Sequence, residues 1–428
     1  MSTEIPRLLE PHLRELLSGL SALSIEGARG VGKTWLARRL GTTFVPVDDP
    51  DERAQLLRLG NRFPQMITPP VVLDEWQLLP ELWDRVRRQV DEDPSPGRFI
   101  LTGSSSPAQA PTHTGAGRIA TVRLRPLSLV ERGLDTPTVS LSTLLASQQD
   151  APIEGTATAV LNTYVEEILR SGFPGIRSLP LVARQAQLDS YLDLTVRHDL
   201  SDGSQRRTRS LKDWMRAYAA SVSTCTTLDS INRSLTARQG IQPAATTART
   251  YRDTLASMWM IDPVQGWMPT ENELARATAA DKHQMCDPAL AARLLGIGTA
   301  HLLGVGHPIV RTPIGQPRRT RMLGFLFESL VTQSVQVYAD LCQADVRHLR
   351  TKGGRQEIDL IVEGPDGRVV AIEVKTAAAP RPGDTRHLLW LRERLGDRLA
   401  DAVVITTGRD AYRDTDSIAV VPASLLGP

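Results

Sequence analysis

The sequence predicts an α/β protein in three parts: a parallel-sheet domain, a helical middle domain with a winged helix-turn-helix, and a smaller α/β domain at the carboxyl end. Three observations predict this arrangement. Short apolar runs alternate with helical stretches up to about residue 135, helical periodicity dominates from 156 to 310, and strand-like runs return after 311. The 428 residues are also enough for about three domains.

Composition and charge limit the class of protein. Hydrophobic residues make up 41% of the chain and charged residues 23%, which is a globular balance rather than a disordered one. The three cysteines, Cys225, Cys286 and Cys342, are far apart and form no CxxC pair, which excludes a disulfide scaffold and a cysteine-rich metal site. Because the net charge is only +2, any contact with nucleic acid must come from local patches.

Hydropathy predicts where the protein resides. Residues 1–10 contain no apolar segment of the kind that a secretion signal requires. No run approaches the roughly 18 apolar residues of a membrane-spanning helix. We therefore expect a cytoplasmic protein with no membrane partner.

The first domain, residues 1–135, is expected to be a parallel sheet with helices on its faces. The predicted strands are short apolar runs, as expected where a strand is buried on both sides. The intervening helices supply the crossover connections that parallel strands need. The predicted strands are Leu23–Glu26, Val71–Asp74 and Phe99–Thr102, and the predicted helices are Thr34–Leu40 and Leu82–Val90.

A glycine-rich segment between the first strand and the first helix matches the pattern GxxxxGK[ST]. In such a loop the glycines let backbone N–H groups and the helix N-terminus point at phosphate oxygens. The lysine would reach the β- and γ-phosphates of a nucleotide, and the threonine hydroxyl would ligate Mg²⁺. A plain glycine-rich turn is the alternative, which the flanking strand and helix disfavour. The residues of this loop are Gly27, Ala28, Arg29, Gly30, Val31, Gly32, Lys33 and Thr34.

A second motif lies where the next apolar strand ends in Asp74 and Glu75. Asp74 would hold Mg²⁺, directly or through water, and Glu75 would polarise the attacking water. The alternative is a strand that merely ends in acidic residues. A third strand ends in Thr102 and Ser104, either of which could sense the γ-phosphate; ordinary turn residues are equally expected at a strand end.

Arg118 lies downstream of these strands, after Gly117. Its guanidinium could stabilise transition-state charge in the manner of an arginine finger, supplied to a second copy of the chain in a homo-oligomer. Only five of the 50 basic residues are lysines, so arginines are common and a structural role for Arg118 is a serious alternative.

Residues 136–155 are rich in Thr, Ser, Pro and Ala and are predicted to be a linker, followed by a helical domain over 156–310. Within it, about residues 205–270 resemble a winged helix-turn-helix. The predicted helices are Leu211–Val222, Leu228–Ala237 and Ala245–Met258, the last with the buried stripe Ala248, Tyr251, Leu255 and Met258. The segments Met258–Ile261 and Gly266–Met268 would form the wing.

The last of these helices is a candidate DNA-binding element. Its early exposed face combines hydroxyl and guanidinium groups, which can meet phosphates or base edges. The candidate contacts are Thr246, Thr247, Arg249 and Arg252. A winged-helix module used only for packing is an equally open alternative.

The third domain, residues 311–428, is predicted to contain a β-hairpin. Predicted strands are Val346–Leu349, Ile358–Glu363, Arg368–Lys375 and Ala402–Thr406. A three-residue loop at Pro365–Gly367 suits a type I turn closed by a left-handed glycine. That odd loop length pairs Leu360 with Ile372 and Val362 with Val370, so one face is wholly apolar.

The same register sets Asp359 opposite Glu373, with Lys375 further along that face. Two facing carboxylates repel, and a divalent cation between them would remove the repulsion, with Glu328 as a further oxygen ligand. Without metal, Asp359→Asn is then expected to relieve the repulsion. Lys375 could orient a water or offset phosphate charge, as in metal-dependent phosphodiester cleavage. The alternative is a surface hairpin whose polar face is only solvated.

Taken together, these motifs resemble a family of prokaryotic AAA-type P-loop ATPases with a C-terminal domain of formerly unknown function. The resemblance spans nearly the whole chain. Ala28 replaces the usual proline and Trp76 the usual aliphatic residue. The matching segments are Gly27–Thr34, Asp74–Gln77, Leu101–Ser104, Gly117-Arg118, Pro126–Ser128 with Glu131, Gly172–Pro174, Tyr191, Asp199-Leu200, Asp287–Leu290 and Phe327-Glu328.

The resemblance implies an AAA-type ATPase domain and a C-terminal fold like the PD-(D/E)xK nucleases. The catalytic set of that fold is matched here by Glu328, Asp359, Glu373 and Lys375, so the resemblance favours a competent nuclease site. Many members of the family keep that fold with eroded catalytic residues. ATP and Mg²⁺ are the implied cofactors, with Mn²⁺ as an option at the nuclease site, and DNA is the implied partner. The expected function is an ATP-hydrolysing nuclease acting on DNA, which the intact set of carboxylates and lysine favours. The alternative is an ATP-dependent DNA-binding switch or scaffold whose nuclease-like domain is inactive, which the near-neutral charge of each domain favours. Tyr191, Arg197, His198 and Asp199 have no assigned role beyond a bridge between domains.

Overall fold

The computed structural model describes residues 4–60, 63, 67–104, 115–147, 149–198, 205–239, 245–269, 280–304 and 318–428. The chain forms two compact units. Unit 1 comprises Met1–Pro126 with Leu255–Met260, and unit 2 comprises Leu127–Thr254 with Ile261–Pro428. The finer boundaries expected from the sequence, at 135, 155 and 310, stay predictions.

Unit 1 alternates helices and strands. Its helices are α1 Leu9–Gly19, α2 Lys33–Leu40, α3 Pro50–Leu59 and α4 Glu81–Glu92. Its strands are β1 Ala22–Glu26, β2 Thr43–Pro46, β3 Val71–Asp74, β4 Phe99–Gly103 and β5 Ala120–Arg123. The three strands and two helices predicted for this part of the chain are therefore confirmed, with ends that differ by one or two residues.

The five strands of unit 1 form one parallel sheet in the order β2-β3-β4-β1-β5. The central strands β1, β3 and β4 are almost wholly buried, which explains why they read as continuous apolar runs. Register pairs Glu26 with Gly103 and Asp74 with Thr102. The carboxyl ends of β1, β3 and β4 therefore lie side by side at one edge of the sheet.

Unit 2 is helical in its first half and mixed in its second. Its helices are α5 Leu141–Ala146, α6 Leu161–Arg170, α7 Pro174–Arg177, α8 Leu181–His198, α9 Gln205–Ala219, α10 Leu228–Gln239, α11 Ala245–Ser257 (which begins in this unit), α12 Pro288–Leu295, α13 Thr299–Leu303, α14 Arg318–Leu341 and α15 Arg386–Leu395. Its strands are β6 Val139–Ser140, β7 Gly155–Thr156, β8 Gln265–Trp267, β9 Asp345–Arg350, β10 Glu357–Glu363, β11 Val369–Val374, β12 Leu399–Thr406, β13 Asp410–Arg413, β14 Ala419–Pro422 and β15 Leu426–Gly427.

An eight-stranded mixed sheet, in the order β7-β13-β14-β12-β11-β10-β9-β8, forms the core of unit 2. β10 is antiparallel to both β9 and β11, whereas β11, β12 and β14 run parallel. Helix α14 contacts β9, β10 and β11, and helix α15 contacts β10, β11 and β12. The four strands predicted from the sequence after residue 311 are all present.

The segment predicted to be a linker, residues 136–155, contains regular structure in unit 2. β6 pairs in parallel with β15 at the carboxyl end of the chain, and α5 contacts β12. β7 pairs with β13. Composition did not indicate these elements, because their partners lie more than 250 residues away along the chain.

The predicted wing is wrong, although the three helices before it are present and the stripe Ala248, Tyr251, Leu255 and Met258 is buried. The two wing segments do not pair with each other in the described structure. Ile261 pairs with Met285 and Val264 with Lys282, while β8 joins the large sheet beside β9. β8 adds to a sheet that already has a buried core, which a two-stranded wing lacks.

Candidate nucleotide site and C-terminal carboxylate cluster

The phosphate-binding loop lies between the carboxyl end of β1 and the start of α2. Its glycines Gly27, Gly30 and Gly32 have φ angles of 150°, 79° and 100°. A Cβ added to Gly27 would lie 2.2 Å from the carbonyl oxygen of Leu124, so this position excludes every other residue. The backbone therefore follows the course that the GxxxxGK[ST] pattern predicts.

Lys33 is buried against its own loop. Its Nζ donates to the carbonyl oxygens of Gly27, at 2.8 Å, and Ala28, at 3.0 Å. Burial lowers the pKa of Lys33 to about 8, and the carboxylates of Glu75 and Asp74 oppose that shift. Without nucleotide, loop carbonyls thus stand where phosphate oxygens would be expected to accept from this ammonium.

Three oxygen-bearing side chains meet at the ends of β3, β4 and α2. The Thr34 hydroxyl donates to the Asp74 carboxylate at 2.9 and 3.1 Å, and the Thr102 hydroxyl donates to the same carboxylate. Burial raises the pKa of Asp74, and these two hydroxyls oppose the rise. Hydroxyl and carboxylate oxygens are the ligands that Mg²⁺ prefers, so Thr34 and Asp74 fit an ion carried in with a nucleotide.

Glu75 is held in place by groups on two sides. Its backbone lies in the left-handed region, with φ 56°, and its N–H donates to the Thr102 hydroxyl at 3.3 Å. Its carboxylate accepts from the Ser104 hydroxyl at 2.9 Å and from the Gln77 amide. Thr102 and Ser104 therefore contact the acidic pair, and their predicted γ-phosphate sensing stays a prediction. Gln77 was recognised only as part of a motif, yet it orients Glu75.

Arg118 lies at the other end of the sheet of unit 1. It precedes β5, where Ala120 pairs with Leu23 at the amino end of β1. Arg118 is therefore about six residues, roughly 20 Å, from the level of Gly27 along the strand direction. It is half exposed and forms an ion pair with Asp91 at 2.8 Å. Arg118 cannot reach the phosphate loop of its own chain from this position, so an arginine-finger role towards a second copy stays a prediction beside its structural role as the partner of Asp91.

The lowered pKa of Lys33 predicts how nucleotide binding depends on pH. We expect the Kd for Mg·ATP to be constant from pH 7 to 8 and to rise by up to about tenfold per pH unit above 8. The lysine is then neutral in the free protein, and binding must take up a proton. Calorimetry in buffers of different ionisation enthalpy measures both Kd and proton uptake. The control Lys33→Arg, which stays charged, should bind weakly but without this dependence. A wild-type Kd unchanged from pH 8 to 9.5 would contradict the prediction.

The predicted C-terminal hairpin is confirmed in detail. Leu360 pairs with Ile372 and Val362 with Val370, and Gly367 closes the loop with φ 77°. The hairpin is not a surface element, however. β9 and β12 flank it, and its second face is also buried at Ile361. The alternative of a solvated polar face is therefore wrong.

Asp359 and Glu373 lie just beyond the paired residues of β10 and β11 and are close enough to interact, but they differ in environment. Asp359 accepts from the Val374 N–H at 2.9 Å; burial alone would raise its pKa, but Lys282 and Lys375 outweigh burial and hold it below its usual value. Glu373 is buried and accepts from Lys375 at 2.7 Å. Burial and the neighbouring Asp359 hold the pKa of Glu373 well above its usual range.

A lysine that the sequence analysis did not single out lies among these carboxylates. Lys282 Nζ is 2.7 Å from Glu328 Oε1 and 3.3 Å from Asp359 Oδ1. Burial raises the pKa of Glu328 to about 8, and the Lys282 ammonium opposes that rise. Over the described ranges, no group of three His, Cys, Asp or Glu residues is arranged to hold a metal. The ammonium group of Lys282 lies between Glu328 and Asp359, and the predicted metal site at Glu328, Asp359 and Glu373 stays a prediction.

The candidate DNA contacts lie on the outer side of α11. Thr246 and Arg249 are exposed, while Thr247 and Arg252 are half-buried. Arg252 forms an ion pair with Asp253 at 2.7 Å. The structure thus leaves hydroxyl and guanidinium groups accessible on one helix, and their DNA contacts stay a prediction.

Of the residues without an assigned role, Tyr191 packs its ring 5.0 Å from that of Phe173 within unit 2. Arg197 and His198 lie at the end of α8 with side chains outside the described structure, and Asp199 lies outside the described residues. A bridging role for this group stays a prediction.

The fold and site of unit 1 define a P-loop nucleotide-binding domain. Comparison with known families agrees: residues 21–132 match the family described as "AAA domain". Residues 161–301 match "Domain of unknown function (DUF8612)", and residues 323–426 match "Domain of unknown function (DUF4143)". The chain therefore combines an AAA domain, which indicates ATP binding and hydrolysis, with two domains to which the families assign no activity.

Two mycobacterial relatives have names that state no function. The chain is 24% identical to Uncharacterized protein Rv2008c of Mycobacterium tuberculosis and to Uncharacterized protein Mb2031c of Mycobacterium bovis, over 97% of this chain and 82% of each relative. A solved structure, the Hef helicase domain of Pyrococcus furiosus, aligns with 11% identity and a TM-score of 0.18 over 94% of this chain and 89% of that one. That similarity is too low to support an argument. Among the described helices, none has the length and apolarity to cross a membrane.

Proposed function

We propose that the protein binds Mg·ATP at Gly27–Thr34 and hydrolyses it with Glu75 as the residue that polarises water. The observation that carries this proposal is the convergence of Lys33, Thr34, Asp74 and Glu75 at one edge of the parallel sheet. Ligands of open parallel sheets bind at this carboxyl edge.

Each residue has a distinct role in this proposal. Lys33 exchanges its two loop carbonyls for phosphate oxygens, and Thr34 and Asp74 hold Mg²⁺, which supplies charge neutralisation for the phosphates. Glu75 orients water and accepts its proton, while Ser104 and Gln77 keep the carboxylate in place.

Mutation of Lys33 tests the proposal. We expect Lys33→Ala to abolish detectable Mg·ATP binding, because the ammonium is the charged group buried within the loop. Calorimetric titration with ATP is the measurement. Lys212→Ala is the matched control, because it removes a part-exposed lysine of unit 2 and should leave Kd unchanged. ATP binding by Lys33→Ala at the wild-type Kd would refute the proposal.

Arg118 extends the proposal to an assembly. Since Arg118 is remote from its own phosphate loop, we propose that it acts on the nucleotide of a neighbouring copy. Hydrolysis per subunit should then rise with protein concentration, and Arg118→Ala should lower kcat while sparing ATP affinity. A rate that is independent of concentration, with a silent Arg118→Ala, would leave Arg118 as the ion-pair partner of Asp91 alone.

For unit 2 there are two candidates: a metal-dependent nuclease, and a DNA-binding switch or scaffold with an inactive nuclease-like sheet. The position of Lys282 favours the second, because the carboxylates already have a cation. DNA remains the proposed partner, through Arg249 and its neighbours. A plasmid-nicking assay with Mg²⁺ or Mn²⁺, with and without ATP, separates the two. Nicking that Asp359→Asn abolishes would establish the nuclease and refute the scaffold.

A further inference from the structure

The carboxylate cluster of unit 2 contains a cation supplied by the chain itself. We infer that the ammonium group of Lys282 takes the place of a divalent metal ion between Glu328 and Asp359, and that it excludes such an ion from the wild-type cluster. The inference deepens the scaffold proposal by naming the residue that inactivates the nuclease-like site.

The contacts of Lys282 account for its whole hydrogen-bonding capacity. An ammonium group has three N–H donors. Lys282 Nζ has three acceptors: Glu328 Oε1 at 2.7 Å, Asp359 Oδ1 at 3.3 Å and the backbone oxygen of Asp359 at 3.1 Å. Its side chain is 1% exposed. Burial and three hydrogen-bond acceptors therefore fix the position of the Lys282 side chain.

The backbone on both sides of the cluster explains how the lysine reaches it. Lys282 pairs with Val264 through two backbone hydrogen bonds, of 2.8 and 2.9 Å, which fix the point from which the side chain starts. β10 contains a bulge against β9 between Ile358 and Ile361. A bulge interrupts the ladder, which leaves the Asp359 carbonyl available to the ammonium.

Metal–oxygen distances show that an ion could not bind between Glu328 and Asp359 while Lys282 is there. A Mg²⁺ or Ca²⁺ ion bound to oxygen lies about 2.0–2.6 Å from its ligands. An ion bound to both Glu328 Oε1 and Asp359 Oδ1 would overlap the position of Lys282 Nζ, which is 2.7 and 3.3 Å from those atoms. Two cations cannot share that position, so metal could bind only if the lysine left.

The cluster contains two ammonium groups beside its three carboxyl groups. Lys282 contacts Glu328 and Asp359, and Lys375 contacts Glu373 at 2.7 Å. Each carboxyl group therefore already has an ammonium partner, which offsets the repulsion that a divalent cation would otherwise remove.

This arrangement reverses one expectation from the sequence. Asp359→Asn was expected to stabilise the metal-free protein by relieving repulsion. In the folded protein Asp359 accepts from Lys282 and from the Val374 N–H, so loss of its charge removes a partner from a buried cation. We therefore expect Asp359→Asn to lower Tm.

The test is Mn²⁺ binding by the full-length protein without nucleotide. Mn²⁺ should change the Tm of wild type and the Tm of Asp359→Asn by the same amount, because the wild-type cluster does not bind the ion. Lys282→Ala should have a lower Tm than wild type without metal and should gain a rise of about 5 °C or more at saturating Mn²⁺, because the freed carboxylates bind the ion only when folded. The double variant Lys282→Ala with Asp359→Asn should lose that rise, and Lys212→Ala should behave as wild type. Calorimetric titration with Mn²⁺ gives the matching Kd.

The outcomes separate this inference from the scaffold proposal. Mn²⁺ binding by wild type that depends on Asp359, without plasmid nicking, would overturn the role of Lys282 and leave the scaffold standing. Nicking by wild type would overturn both. A folded Lys282→Ala that gains no Mn²⁺ binding would also overturn the inference. If Lys282→Ala folds only with Mn²⁺, the ion has replaced the ammonium, as expected. If Lys282→Ala folds neither with nor without Mn²⁺, the inference is tested by whether Mn²⁺ raises the Tm of wild type more than that of Asp359→Asn.

Discussion

Glu75→Gln is expected to lower kcat for ATP hydrolysis by about 10²- to 10⁴-fold, the usual contribution of a positioned general base, while the Kd for Mg·ATP changes by less than about threefold. Glutamine keeps the shape of Glu75 and its contact with the Ser104 hydroxyl, but it cannot accept a proton from water. Single-turnover hydrolysis and calorimetric titration measure the two quantities separately. The variant should therefore hold ATP without turning it over.

The matched control is Glu81→Gln, which changes an exposed glutamate of the same unit that forms an ion pair with Arg85. It should hydrolyse ATP at the wild-type rate. A Glu75→Gln protein that keeps more than a tenth of wild-type kcat would remove Glu75 from the chemistry. Asp74 would then be the residue to test next, since its carboxylate is the other one at this edge of the sheet.

The largest effect on stability is expected at Glu167, which lies in unit 2 between two arginines. Its carboxylate accepts from Arg177 at 2.6 and 3.1 Å and from Arg132 at 3.3 Å. The side chains of Arg132, Glu167 and Arg177 are 0%, 3% and 9% exposed. Arg132 also donates to the Leu127 carbonyl and to Gln333, so this ion-pair cluster joins α6 and α14 to the start of unit 2.

Glu167→Gln is expected to lower the free energy of unfolding by about 3–5 kcal/mol, because it removes the carboxylate that directly pairs with two buried guanidinium groups. Urea unfolding followed by circular dichroism measures the change. The neighbouring residue provides the control: Glu166 is exposed, and Glu166→Gln should change the free energy by no more than about 0.5 kcal/mol. Equal effects of the two substitutions would show that the cluster contributes nothing specific.

The same cluster predicts a loss of stability in acid. Burial alone would raise the pKa of Glu167, but Arg177 and Arg132 outweigh burial and hold it below its usual value. A carboxyl group with a lowered folded-state pKa contributes stability above its unfolded pKa of about 4.5, and that stability is lost as the pH falls through the folded pKa. Glu167→Gln should therefore remove part of the acid sensitivity below about pH 4.5.

Much of the nucleotide site could be predicted from the sequence because it depends on local rules. Glycines at fixed spacing permit the positive φ angles that a phosphate-binding loop needs, and Gly27, Gly30 and Gly32 adopt them. Parallel strands bring their carboxyl ends to one edge, which places Asp74 beside Thr34 although they are 40 residues apart. The parallel direction itself follows from strands alternating with helices.

The hairpin of unit 2 was predictable for a similar reason. A three-residue loop determines the pairing register by itself, so Leu360 had to face Ile372. What the register could not show was the surroundings. That β9 and β12 cover both edges, and that the second face is buried, depends on residues far away in the chain. From the sequence, the polar face was therefore expected to be solvated or to bind a metal. In the structure this face is not exposed, and ammonium groups lie beside its carboxylates.

The sequence by itself thus determined the phosphate loop, the acidic strand end, three strands of the parallel sheet, four strands of the mixed sheet and the register of the hairpin, because each depends on neighbours within one or two elements. Only the tertiary structure decided the rest. The wing segments pair with distant strands, and the supposed linker pairs with the end of the chain. Lys282 joins Asp359 across 77 residues, and no spacing rule connects a strand-edge lysine with a bulged strand. Long-range contacts of this kind are chosen by which side chains can be buried together, and burial is a property of the folded chain as a whole.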